Sequence, residues 1–351
     1  MLKMKQSKLK KSVLMVVYAY PAGFGHSTVM VNLCRYLKEL GYDTAIGAFY
    51  FKKDPPKDIK VVKLNRTNLL LKGINSINFD IIHSHQPLMN YFLFSRKSTK
   101  LVIYHYHGSS DRLQRINFKI MTKLFRKKIR KIISVSKTGI TQMKNMNSRI
   151  EADVIYNGVD TNFYNENLPK TSKKGEPQLL FVSGLVYHKH AIELIKSIPD
   201  IVKIFPKAHL QIVGEGEELE KLRVDVKERN LENYVELTGR INDDELKLRY
   251  SSCDIYVSAS TFEVCPVPTL EAMACGKPLV LFDIEPHNEI ISESQAGIIF
   301  YSHKSSEISE KIEEAYNNRV ELGRNAREFA ENHDWSIISK QMDEIYKKIL
   351  D

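Results

Sequence analysis

The sequence predicts an α/β protein built from two parallel-sheet domains, and three observations carry that reading. Apolar strand-like segments alternate with helical stretches along the whole chain, the rhythm of βα units around a parallel sheet. Two of those strands run directly into glycine turns that open helices, Gly23-Phe24-Gly25 and Gly214-Glu215-Gly216. Between two such series lies a polar, breaker-rich stretch from Pro169 to Pro177, and 351 residues suit two domains at roughly 100–200 residues each.

In the first series Ser12–Tyr20 reads as a strand and Thr28–Leu40 as a helix stopped by Gly41. Further strands are expected at Thr44–Phe49, Ile59–Leu64, Phe79–His83, Leu101–Tyr106, Lys131–Val135 and Asp153–Tyr156. The second series has strands at Gln178–Ser183, His209–Val213, Tyr234–Leu237, Ile255–Val257 and Pro278–Phe282, with helices at Ala191–Ile204, Glu217–Val226, Asp243–Ser251 and Thr269–Cys275. Asn325–Asp351 reads as one terminal helical segment around Trp335.

Composition narrows the class. No apolar run approaches the 18 or so residues that cross a bilayer. The basic Met1–Lys11 ahead of Val13–Ala19 resembles a short signal peptide without a clear cleavage site, and a first strand fits better. Cys34, Cys253, Cys265 and Cys275 lack metal-site or disulfide spacing and read as reduced thiols of a cytosolic protein. Charge is divided unevenly: residues 1–170 hold 30 Lys+Arg against 10 Asp+Glu, and the remainder 22 against 32. A basic half joined to an acidic half suggests different partners for the two.

Neither glycine turn completes a dinucleotide fingerprint, since Thr28 and Leu219 stand where a third glycine would. Each remains a place where backbone N–H groups and a helix N-terminus can meet a phosphate, although Glu215 and Glu217 would repel one at the second. The most informative stretch is Ser258–Pro278, with Glu263 and Glu271 separated by seven residues. Pro266 and Pro268 keep Glu263 off the helix that holds Glu271. A loop carboxylate followed by a helical one suits vicinal hydroxyls of a sugar or ribose. Spacing alone also fits a solvated loop glutamate and a first-turn glutamate favoured by the helix dipole.

Glu263, Pro266, Glu271-Ala272-Met273-Ala274, Gly276 and Pro278 together resemble the E-x7-E region of the retaining GT-B glycosyltransferases of family 4, the glycosyl transferases group 1. The resemblance extends in order along nearly the whole chain: Asp80-Ile81-Ile82-His83-Ser84-His85, His107-Gly108, Ile132–Ser136, Val154–Phe163, Leu210–Gly216 and Leu237–Ile241. It implies two Rossmann-like parallel-sheet domains facing across a cleft. Residues 1–170 would bind the acceptor and 171–332 the nucleotide sugar, with 333–351 packing back on the first domain. It further implies Glu271 on the ribose, Glu263 on the transferred sugar, Lys189 on the diphosphate and His107 beside the reacting sugar. The Gly25 turn would approach the diphosphate, the backbone near Arg240 and Ile241 the base, and Pro266 and Val267 would complete the donor site. The chain departs from the family at Gly184, where a phosphate-binding Arg is usual, at His190 for a Gly, and at Val264-Cys265 for Gly-Phe. His188, His190 and Arg240 are the candidate substitutes for the Arg.

His83-x-His85 and His105-x-His107 place pairs of imidazoles on one strand face, but no Cys or acidic set completes either pair, and no metal is expected. Arg115–Lys131 reads as a basic helix with an apolar row of Ile116, Ile120 and Leu124 widened by Met121. Arg115, Lys119, Lys123, Arg126, Lys127 and Arg130 flank that row, the pattern of an interfacial helix on anionic lipid. The alternative is a surface helix packed through the same apolar row. Nucleic acid is not an expected partner, for no recognition module or stacking array accompanies the charge.

The function expected is hexose transfer from a nucleoside diphosphate to an acceptor hydroxyl with retention, without a metal cofactor. The acceptor expected is a lipid-linked glycan or cell-envelope polysaccharide precursor at the inner face of the cell membrane. The alternative is a non-catalytic donor-binding or scaffold subunit of a glycan-assembly complex, motivated by Gly184. A nicotinamide dehydrogenase is disfavoured by the missing third glycine.

Overall fold

In the computed structural model, residues 11–22, 25–98, 100–109 and 112–350 are described. The chain divides into two compact units, Met1–Asn157 with Trp335–Asp351, and Gly158–Asp334. The division falls at Asn157/Gly158, ahead of the expected boundary at 170/171. The reason is local: the Val159 N–H donates to the His333 carbonyl, and Val159 and Tyr164 are buried in the core of the second unit.

The first unit runs β1 (Ser12–Tyr20), α1 (His26–Glu39), β2 (Asp43–Phe51), β3 (Lys60–Lys63), α2 (Arg66–Lys72), β4 (Ile81–Ser84), α3 (Pro87–Leu93), β5 (Leu101–Tyr106), α4 (Arg112–Phe125), β6 (Lys131–Ser134), α5 (Lys137–Met146) and β7 (Asp153–Val154). The strands form one parallel sheet in the order β3-β2-β1-β4-β5-β6-β7. β1 shows why the sequence reads as an unbroken apolar run: a parallel strand covered on both faces needs apolar residues at every position. Val13, Met15 and Val17 point into the core under α1, while Leu14 and Val16 point into the opposite core with Met89 and Phe118.

The second unit runs β8 (Gln178–Val182), α6 (Ala191–Ile204), β9 (His209–Val213), α7 (Leu219–Glu228), β10 (Val235–Gly239), α8 (Asp243–Ser252), β11 (Ile255–Ser258), α9 (Val267–Ala274), β12 (Leu279–Phe282), α10 (Glu285–Ser294), β13 (Gly297–Phe300), α11 (Ser305–Asn317) and α12 (Arg319–Asn332). Its sheet is parallel, in the order β10-β9-β8-β11-β12-β13. The expected terminal helix is two helices, α12 and α13 (Trp335–Leu350), parted at His333-Asp334. α13 belongs to the first unit, where Trp335, Ile338, Met342, Ile345 and Tyr346 enter the same core as α1.

Each sheet reverses its winding once, between β1 and β4 in the first unit and between β8 and β11 in the second. In a doubly wound sheet, ligands bind outside the carboxyl ends of the strands at such a reversal. That rule directs attention to the chain after Tyr20 and Ser84 in one unit, and after Val182 and Ser258 in the other.

Candidate functional site

In the second unit, the carboxyl ends of β8, β9, β10 and β11 share one edge of the sheet because the strands are parallel. Gly214 (φ 143°) and Gly216 shape this edge. A Cβ on either would run into the backbone carbonyl of Ser183 or Leu185, so only glycine lets the turn after β9 lie against the segment after β8. Two backbone hydrogen bonds fasten them: Leu185 N–H to the Glu215 carbonyl (2.9 Å) and Glu218 N–H to the Leu185 carbonyl (3.1 Å). The glycine turn is therefore a seat for the Gly184–Lys189 segment.

That segment carries Lys189 to Glu263. Lys189 Nζ lies 2.5 Å from Glu263 Oε1, with both side chains largely buried, and 3.4 Å from the Phe262 carbonyl. Backbone fixes the approach, since Thr261 N–H donates to the His188 carbonyl at 2.9 Å. Pro266 caps α9, Val267 is its first residue, and Glu263 sits in the preceding loop. Val264 is buried. Glu271 lies in the second turn of α9, past the reach of a first-turn dipole preference.

Glu271 is held by two tyrosines. Tyr250, fully buried on α8, donates its hydroxyl to Glu271 Oε2 at 2.9 Å, and Tyr164 forms a second hydrogen bond. Desolvation pushes the Glu271 carboxyl up to about 7 against the opposing pull of those hydroxyls. The sequence reading missed both tyrosines. Tyr164 directly follows the Asn157–Phe163 motif, but nothing in the local sequence pairs it with a carboxylate more than a hundred positions away.

Arg240 and Ile241 follow β10. Arg240 is paired at 3.1 Å with Glu215, and both side chains are exposed. A side chain at Gly184 would meet only the Glu215 carbonyl, 4.0 Å from a built Cβ, so the missing Arg is not excluded for want of space. His188 is lowered by burial and by Lys189 beside it; His190 is lowered by burial and by His303, against which it stacks at 4.7 Å. Both therefore favour the neutral form, which leaves Arg240 as the permanently charged candidate among the three.

In the first unit, a cavity of about 360 Å³ opens at the carboxyl ends of β1 and β4. Tyr18, Ala22, His26, His85, Gln86 and His107 are among its walls. Gly25 caps α1 in the left-handed region (φ 74°), while Gly23 and Phe24 of the predicted turn lie outside the described residues. His107 Nε2 is 2.9 Å from His85 Nδ1, and burial holds both imidazoles well below their ordinary range.

The basic helix is shorter than expected. α4 ends at Phe125, so Arg115, Lys119 and Lys123 lie on it, whereas Arg126 and Lys127 lie in the following turn and Arg130 just before β6. Its packing face is also different. Phe118 and Met121 are buried, while Leu113, Ile116, Ile120 and Leu124 are 78%, 45%, 46% and 58% exposed. The alternative that Ile116, Ile120 and Leu124 dock the helix on its own domain is thereby overturned. No helix among the described residues is long and apolar enough to cross a membrane. Met1–Lys10, most of the basic N-terminal stretch, lies outside the described residues.

Each of the two units is thus a doubly wound parallel sheet, and the second carries two carboxylates and a lysine in the segments after its strands. Residues 164–333 match the family model of glycosyl transferases group 1, and residues 25–163 that of glycosyltransferase family 4. An uncharacterized glycosyltransferase of Methanocaldococcus jannaschii is 30% identical over 288 residues, covering 79% of this chain and 78% of its own. The alpha-monoglucosyldiacylglycerol synthase of Streptococcus pneumoniae is 30% identical over 141 residues, 39% of this chain and 32% of its own. Among solved structures, Anabaena HepE in complex with UDP and glucose is similar in fold, with a TM-score of 0.80 at 19% identity over 96% of this chain and all of its own. The chain belongs to the glycosyl transferases group 1 family.

Proposed function

We propose that the protein transfers a hexose from a nucleoside-diphosphate sugar to an acceptor hydroxyl with retention of configuration. The observation that carries this reading is the Lys189–Glu263 pair in the segments that follow β8 and β11, with Glu271 on α9, the helix that comes next. Glu271 accepts hydrogen bonds from the ribose hydroxyls and Glu263 from hydroxyls of the transferred sugar. Lys189, now on Glu263, is the cation that meets the diphosphate, aided by Arg240 where the family's Arg is absent. The acceptor oxygen bonds to the anomeric carbon on the face from which the diphosphate leaves. The bond from that carbon to the phosphate oxygen breaks, and the acceptor's proton passes to the departing phosphate. Charge stabilisation comes from Lys189 and the start of α9, so the donor site needs no Mn²⁺ or Mg²⁺. His107 lines the first unit's cavity, which we assign to the acceptor.

The acceptor in this reading is a lipid-linked glycan or envelope precursor, met at the cytoplasmic face of an anionic membrane. The exposed stripe of Leu113, Ile116, Ile120 and Leu124, flanked by Arg115, Lys119 and Lys123, supports it. Apolar residues left outward beside cations have lipid as their natural cover, at about 1 kcal/mol per cation near the surface. The S. pneumoniae relative, an alpha-monoglucosyldiacylglycerol synthase, agrees with a lipid acceptor. The scaffold alternative rests on Gly184 alone. A screen of UDP- and GDP-hexoses with mass-spectrometric readout separates the two: transfer or donor hydrolysis supports the enzyme, and nucleotide binding without turnover supports the scaffold.

A further inference from the structure

Four histidines crowd one face of the first unit's sheet. His83 and His85 follow one another on β4 and its extension, and His105 and His107 on β5 and its extension. The parallel register sets His83 opposite Ile103 and Ser84 opposite Tyr104, which brings His85 level with His105. With Ile81 and Ile103 in the core beneath α1 and α13, the period of two turns all four imidazoles to that side. Two pairs that look incomplete along the sequence thus become one set across neighbouring strands.

The hydrogen bonds around this set are one-sided. His83 uses Nδ1 with the Tyr346 hydroxyl at 2.7 Å, and His85 uses Nδ1 with His107 Nε2 at 2.9 Å. His83 Nε2, His85 Nε2 and both ring nitrogens of His105 are buried without a hydrogen-bond partner among the described residues. One ring nitrogen from each of His83, His85 and His105 lies within 4.8 Å of the others. An unpaired polar group in such a place costs about 1–3 kcal/mol, and here several sit together.

We propose that His83, His85 and His105 form a binding site for a first-row transition ion, Zn²⁺ foremost. Neutral imidazole is the ligand form, and burial keeps all three neutral, with His83 lowered to about 3 by desolvation. Engaging Nδ1 elsewhere is how a metal-binding histidine is normally oriented, because it leaves Nε2 with its lone pair for the ion. The rings are inclined to one another by 13° to 38°, more stacked than a finished coordination set. Zinc–nitrogen bonds of about 2.0–2.1 Å place tetrahedral ligand atoms about 3.3 Å apart, so binding draws the nitrogens inward by ring rotation. An ion on His85 Nε2 fixes the proton on His85 Nδ1. That proton is donated to His107 Nε2, and the His107 proton is then held on Nδ1. The site so sets the tautomer of a cavity-lining histidine from behind. Its residues all belong to the first unit and the proposed donor residues Lys189, Glu263 and Glu271 to the second, and its test does not depend on transfer activity.

The full chain without a polyhistidine tag, stripped with a chelator and dialysed, is titrated with Zn²⁺ by calorimetry and followed by thermal unfolding. One equivalent should bind and raise Tm. His83→Gln and His105→Gln should lose both effects, while His333→Gln, in the other unit, keeps them. Titration of the unmodified chain with Co²⁺ covers the case in which the variants misfold. Visible d–d bands without a thiolate charge-transfer band support the imidazole site. A thiolate band, which would put the ion on a cysteine such as Cys34, overturns it. So does the absence of any zinc-dependent heat and Tm shift, or unchanged zinc binding in the two glutamine variants.

Discussion

Glu271→Gln should make the protein more stable at alkaline pH while weakening its hold on nucleotide. In the folded chain, burial raises this carboxyl from an ordinary 4.5 to about 7. At 1.36 kcal/mol for each tenfold change in proton affinity, holding the charge in place costs about 3 kcal/mol. The folded pKa lies above the unfolded one. The group's favourable contribution is therefore fully present below pH 4.5 and is lost as pH rises through 7. A neutral amide of the same shape escapes that loss, so urea unfolding should show the variant near wild type at pH 5 and more stable by up to about 3 kcal/mol at pH 8. Ribose hydroxyls are best accepted by the ionised form. Wild-type affinity for UDP or GDP should accordingly climb as pH passes 7, and the variant's should stay low and flat. Identical pH profiles of stability in the two proteins would refute the account of a desolvated, charge-bearing Glu271 between Tyr164 and Tyr250.

Other outcomes follow from the same geometry. Glu263→Gln should lower kcat more than donor affinity, whereas Lys189→Ala should lower both, since it removes the cation for the diphosphate and strands Glu263; steady-state kinetics distinguishes them. Gly184→Arg fits the open space there and should tighten donor binding roughly tenfold or more, for a charged hydrogen bond at about 1.5–3 kcal/mol; isothermal titration with the nucleotide reads it. Added Mn²⁺ or Mg²⁺ should not raise the transfer rate, and EDTA present only during the assay should not lower it. Wild type should sediment with anionic vesicles at low salt and leave them at high salt, and charge reversal at Lys119, Lys123 and Lys127 should abolish binding with UDP or GDP affinity intact.

The parts of this molecule governed by local rules were legible in the sequence. Ser12–Tyr20 announces a doubly covered strand, Ala191–Ile204 is a helix over those residues, and Pro266 and Pro268 do part Glu263 from α9. What the sequence hid depends on neighbours distant in the chain. The two histidine pairs looked incomplete because the adjacency of β4 and β5 is a property of the sheet. Tyr250 reaches Glu271 only once α8 and α9 are packed. On α4 the regular row of Ile116, Ile120 and Leu124 fits a lipid-facing stripe and, as the alternative, a docking face, and the sequence alone does not choose between them. The domain takes the larger Phe118 and Met121 and leaves that row outward. The helix also stops early: the Lys128 N–H tightens onto the Phe125 carbonyl three residues back, and the Arg130 N–H leaves to bond the Val102 carbonyl of β5, which starts the chain into β6.

The most direct test of the central claim is a transfer assay on the intact chain. UDP- and GDP-hexoses are offered with lipid-linked glycan acceptors, products are weighed by mass spectrometry, and the anomeric configuration is read by NMR. The account predicts release of the nucleoside diphosphate and an acceptor heavier by one hexose, joined with the donor's configuration retained, and loss of both with Glu263→Gln. A product of inverted configuration, or transfer undiminished in Glu263→Gln, would contradict it.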